Sequence, residues 1–163
     1  MIEAGEMIML NLISKPELKI IGLEIRTTNE NSQCVQDIFL LWKQFMQEEI
    51  LEQIPNKISN EIVSVYTNYE NEGKNCQGKY SVILGTWVSS FDSMPKNFAK
   101  AIIQPACYSV FSVNPPSPEA VGKTWQSIWQ TPPNECPRTF LADFDLYDAS
   151  GKISVWVGVR SYQ

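Results

Sequence analysis

The sequence predicts an α+β fold. Two duplicated β-α-β-β units form one largely antiparallel sheet, with two helices on one face and a central groove. The first observation behind this is an internal repeat: Gly78-Lys79-Tyr80-Ser81-Val82-Ile83-Leu84-Gly85 matches Gly151-Lys152-Ile153-Ser154-Val155-Trp156-Val157-Gly158. The second is a strand-like stretch upstream of each copy. Val63 to Tyr69 runs into Glu70, and Leu141 to Tyr147 runs into Asp148. The third is a helical apolar stripe further upstream in each half.

Taken in order, residues 1–6 read as a flexible leader. The first unit spans about 15–90 and opens with the β-rich stretch Leu18 to Thr27. Its helix starts near Asn31 or Ser32 and stops before Pro55, with Val35, Ile38, Trp42 and Phe45 as the stripe. Asn-Glu-Gly-Lys-Asn around Gly73 makes the hairpin turn before the first repeat strand. Ser89 to Lys100, with Pro95, reads as the linker. The second unit spans about 100–163 and opens with Ala106 to Val113. Ser117-Pro118-Glu119 supplies an N-cap, a proline in the first turn and an acid near the helix dipole. Val121, Thr124, Trp125, Ile128 and Trp129 form its stripe. Asp148-Ala149-Ser150-Gly151 is the last hairpin turn, which pairs Tyr147 with Lys152. That register sets Asp145 opposite Ser154 and Asp143 opposite Trp156 on one sheet face. Phe144, Leu146, Val155 and Val157 fall on the other, more apolar face. Neither unit alone buries a comfortable core, so the 163 residues read as a single domain.

Composition removes several function classes. There is no histidine, which excludes Ser-His-Asp and Cys-His catalysis and His general bases. A formal charge of −5 disfavours direct nucleic-acid binding. Cys34, Cys76, Cys107 and Cys136 contain no Cys-x-x-Cys pair, so no zinc site is expected, and neither is a cofactor. Nothing resembles a secretory signal or the ~20 apolar residues of a membrane span. The reading is a cytoplasmic protein with reduced thiols. Packing the two units side by side leaves a groove at the pseudo-twofold axis, a usual place for a small ligand.

Several segments resemble the GyrI-like small-molecule-binding domain, the effector-binding domain of AraC- and MerR-type regulators. They are Ile21-Gly22 with Arg26-Thr27-Thr28-Asn29, Val65-Tyr66-Thr67-Asn68-Tyr69-Glu70, Gly78-Lys79-Tyr80 and Gly85-Thr86-Trp87-Val88. Pro105 to Phe111, the Trp125-x-x-Ile128-Trp129 helix and Phe144-Asp145-x-Tyr147 complete the match, which runs from about Lys15 to Val159. Stand-alone relatives include integron-cassette proteins that bind cationic drugs. The resemblance implies a pocket for lipophilic, often cationic, aromatic compounds and a link to transcription regulation or drug sequestration. The family often has Glu at the positions of Trp87 and Ser154, and both carboxylates are missing here.

A site for a bulky organic cation needs aromatic faces and a carboxylate desolvated against the ligand. Asp145 is the first choice of carboxylate; Asp143, Glu24 and Glu70 are the others. Trp42 and Trp129, at matching helix positions, and Phe45 are walls from the helices. Tyr66, Trp87, Tyr108 and Trp156 are walls from the strands. Two alternatives stand beside this reading. One is a small hydrolase of cyclopropanoid or electrophilic compounds, with Asp145 activating water. The other is a gyrase-inhibitor-like module whose acidic surface docks a separate protein partner.

Overall fold

The computed structural model describes residues 12–160. The leader assigned to residues 1–6 lies outside them. The elements are β1 (Leu12–Lys15), β2 (Leu18–Thr28), a 3-10 turn (Glu30–Ser32), α1 (Gln33–Gln47), α2 (Ile50–Gln53), β3 (Ile62–Thr67), β4 (Lys79–Val88), β5 (Ala99–Ile103), β6 (Ala106–Val113), α3 (Pro118–Gln130), β7 (Arg138–Tyr147) and β8 (Ile153–Val159). The eight strands form one curled sheet in the order β1-β6-β8-β7-β3-β4-β2-β5, antiparallel throughout. The triplets β2-β3-β4 and β6-β7-β8 thus mirror one another about the central pair β3/β7. β1 and β5 are additions at the two edges; β5 begins where the sequence reading placed the end of a linker.

Each helix follows from its sequence. Ser117 caps α3, its hydroxyl accepting from the Ala120 N–H at 3.2 Å, with Pro118 in the first turn. Val121, Trp125 and Ile128 are its buried face, while Trp129 stays 48% exposed. In α1 the inward residues are Cys34, Ile38, Leu41 and Phe45. Val35 was expected on that stripe but is 69% exposed. Leu41 takes the inward place, a rotation of the core face around the helix. Glu49, at φ 50°, breaks the chain between α1 and the short α2.

Both helices lie on the same face. α1 covers a core of Ile21, Leu23, Val82 and Leu84; α3 covers Val155, Val157 and Val159. The opposite face holds Ile20, Val63, Val65, Ile83, Trp87, Tyr108, Phe144 and Trp156. Gly22 faces Gly85 across the β2/β4 pair, where a Cβ on Gly85 would sit 1.9 Å from the Ile21 carbonyl oxygen. Only glycine allows the two backbones to approach that closely.

The last hairpin corrects the expected register. Its connection has five residues, because Asp148 organises it. The Asp148 carboxylate accepts from the backbone N–H of Ser150 at 2.9 Å and of Lys152 at 3.0 Å, and Gly151 takes φ 91°. Tyr147 therefore pairs with Ile153, Asp145 with Val155 and Asp143 with Val157. A slip of one residue transfers a strand's side chains to the other face. Val155 and Val157 thus share the helix-covered face with Asp143 and Asp145, while Trp156 and Ser154 join Phe144 and Leu146. No helix among the described residues is long and apolar enough to cross a membrane.

Candidate binding site

Asp145 lies at the centre of the molecule, on the inner strand β7 beneath α3, and is 1% exposed. The Tyr66 hydroxyl donates to its Oδ2 at 2.5 Å and the Trp125 indole N–H to its Oδ1 at 2.9 Å. Among the described residues it has no ion-pair partner. Burial raises its pKa to about 7; the two hydrogen bonds pull it down, and the charge of Asp143 adds to the rise. Tyr66 pairs with Val82 as Asp145 pairs with Val155, and those two valines are matching repeat positions. The Tyr66–Asp145 hydrogen bond therefore joins equivalent positions of the two units across the pseudo-twofold axis.

Asp143, two residues earlier on the same face, is fully buried and differently furnished. Arg138 Nη2 donates to its Oδ2 at 2.9 Å, the Gly158 N–H to its Oδ1 at 2.8 Å, and the Tyr69 hydroxyl also donates to Oδ2. Arg138 reaches it through a bulge. Val159 faces Arg138 whereas Val157 faces Asp143, so extra residues are looped out between them. Phe140, inside the bulge, has φ 54°, a strained conformation for an aromatic residue. The bulge folds over Gly158, where a Cβ would lie 2.6 Å from the Ala142 oxygen. The Arg138 guanidinium sits 4.5 Å from the Phe140 ring centre and 5.6 Å from that of Trp125.

Aromatic rings close the seam between the helices. Trp42 of α1 meets Tyr147 edge-on at 4.8 Å, and Trp125 of α3 meets Tyr66 at 5.5 Å. Tyr80 lies 6.2 Å from Tyr66, and Trp129 is tilted beside Trp125 at 6.4 Å. Two surface concavities of about 330 and 340 Å³ lie elsewhere, one beside Ser117, Lys123 and Ser127 of α3 and one beside Asp37, Leu40 and Gln44 of α1.

The predicted residues divide between the two faces. Asp145, Tyr66, Trp42 and Phe45 share the helix-covered face, with Phe45 deep in the α1 core at 1% exposure. Trp129 belongs to the same side but is half out in solvent. Trp87, Tyr108 and Trp156 pack around Phe144 on the opposite face, at 5.2, 5.1 and 5.2 Å between ring centres. Glu24 is exposed on that opposite face, across from Ile83. Glu70 is an exposed loop residue that accepts from the Lys79 N–H at 3.1 Å. Sequence reasoning missed Trp125 as an Asp145 ligand, though its place on the α3 stripe was legible. It also missed Tyr69, which donates to Asp143 from beyond the end of β3, and Arg138 and Phe140, which the bulge brings to this side.

Comparison with known proteins places this architecture. Residues 11–159 match the family described as Cass2, integron-associated effector binding protein. The chain belongs to this family. It is 30% identical over 146 residues to YobU of Bacillus subtilis (strain 168), named as a candidate transcriptional regulator, covering 86% of this chain and 88% of that protein. Among solved structures it is similar to an integron cassette protein from the mobile metagenome of Vibrio cholerae. The TM-score is 0.72 with 21% identity, over 92% of this chain and 95% of that one. It is also similar to SAV2435 bound to tetraphenylphosphonium, with TM-score 0.74 and 17% identity over 92% and 93% of the two chains. Both are likenesses of fold.

Proposed function

We propose that this protein binds lipophilic organic cations at the seam between α1 and α3, with Asp145 as the counter-charge. One observation carries the reading: a buried carboxylate at the pseudo-twofold axis has neutral donors and, among the described residues, no cation. An ionised group in that position is costly. A cation arriving beside it recovers the cost, so the site favours charged ligands over neutral ones of the same shape. Tyr66, Trp125, Trp42 and Tyr147 offer ring faces, each cation–π contact contributing about 0.5–2 kcal/mol when water is excluded. The rings now touch one another, so a ligand enters by parting them. Each ring–ring contact given up costs about 0.5–1.5 kcal/mol, which the ring–ligand contact replacing it offsets. The Cass2 family's description as effector-binding, and a neighbour of the same fold bound to tetraphenylphosphonium, support this reading.

Rhodamine 6G and tetraphenylphosphonium test it. Each is expected to raise the melting temperature and quench tryptophan fluorescence, with neutral triphenylphosphine oxide doing much less. No response to either cation rejects the reading.

A further inference from the structure

The two buried acids do not both await a ligand. We infer that Arg138 is a resident cation that fills the second anionic position of the site, so that the seam accepts one positive charge per ligand and discriminates against dications. This rests on the reading of the seam as a cation site and adds the charge class of the ligand.

Three observations meet here. Regular alternation along β7 would turn Arg138 and Phe140 to the opposite face with Phe144. The bulge turns both to the helix-covered face instead, Arg138 onto Asp143 and Phe140 against Tyr69, with a positive φ at Phe140. The guanidinium then occupies the kind of seat that an aromatic cation would use. It pairs with Asp143 at 2.9 Å and lies over the Phe140 and Trp125 rings at 4.5 and 5.6 Å. Finally, Trp125 belongs to both acids: its ring carries the guanidinium and its N–H binds Asp145. A ligand charge at Asp145 is therefore about one indole away from a fixed positive charge. A second ligand charge on that side meets repulsion instead of a carboxylate, in a place where water screens little. Specificity of this kind comes from a repulsive element as much as from an attractive one.

Ethidium and propidium share a phenanthridinium ring and differ by one quaternary ammonium. Binding of each to the full chain is followed by fluorescence anisotropy, alone and by displacement of tetraphenylphosphonium. The wild type is expected to bind ethidium about tenfold or more tightly than propidium. Arg138→Met frees Asp143 and is expected to narrow or invert that ratio. Should Arg138→Met lose its cooperative melt, Asp143→Asn serves instead. It leaves the guanidinium without its acid, so affinity for both dyes is expected to fall, most for propidium. Equal affinities in the wild type overturn the inference while leaving the cation site intact. So does an unchanged ratio in folded Arg138→Met, or unchanged affinities in Asp143→Asn. Failure of every cation to bind sinks the underlying reading instead.

Discussion

Asp143 and Asp145 project from the same face of β7, two residues apart, and among the described residues only the first of them has a cation beside it. Asp143 has the Arg138 guanidinium at 2.9 Å; Asp145 has a phenol and an indole. The difference gives each acid its own test.

Stability should fall with rising pH because of Asp145. Its pKa is raised from 3.8 to about 7, so the folded chain holds this proton more tightly than the unfolded chain. Between about pH 4 and pH 7 the native state binds the extra proton, and stability declines as pH climbs through that window. Above it the full penalty is present. Melting curves of wild type and Asp145→Asn should nearly coincide near pH 4, with the variant gaining on the wild type up to pH 7 and holding its lead above. A gap that does not change with pH contradicts the assignment.

Trp125→Phe keeps the ring and removes the donor to Asp145. A hydrogen bond to a charged group is worth about 1.5–3 kcal/mol, so the variant loses roughly that much at pH 8. The loss should shrink when Asp145→Asn is already present. A double-mutant cycle by urea denaturation measures this coupling, and strict additivity would deny the contact.

Asp143→Ala should be the most damaging of the charge changes, at about 3–5 kcal/mol, because it strands a buried guanidinium. Removing both partners, as Arg138→Met with Asp143→Leu, should recover much of that loss. Denaturant midpoints of the single and double variants decide whether the pair is coupled.

Gly158→Ala tests the bulge. The new methyl would sit 2.6 Å from the Ala142 oxygen, a backbone atom that cannot retreat without moving the bulge, and 2.9 Å from Thr139 Oγ1. A loss of about 1–3 kcal/mol is expected from such overpacking. A neutral substitution would mean the bulge is looser than described.

The β-α-β-β order and the α3 cap were legible in the sequence, because repeats, caps and apolar periods are local signals. What escaped detection depends on parity. The Asp148 side chain lengthens the last turn by one residue, and that alone exchanges Ser154 for Val155 opposite Asp145 and Trp156 for Val157 opposite Asp143. The same parity sends Trp87 and Tyr108 to the opposite face, although their aromatic character suggested a wall of the site. Arg138 was invisible for another reason: a bulge centred on a phenylalanine with positive φ follows no propensity rule. Val35 shows the limit of stripe counting, since Cys34, Ile38, Leu41 and Phe45 fit the helical period equally well.

Isothermal titration of tetraphenylphosphonium into wild type and Asp145→Asn at pH 8 tests the central claim most directly. The account predicts that the neutral side chain, nearly the same in shape, weakens binding about tenfold or more while triphenylphosphine oxide is unaffected. Equal affinity of the two proteins for the phosphonium would contradict it.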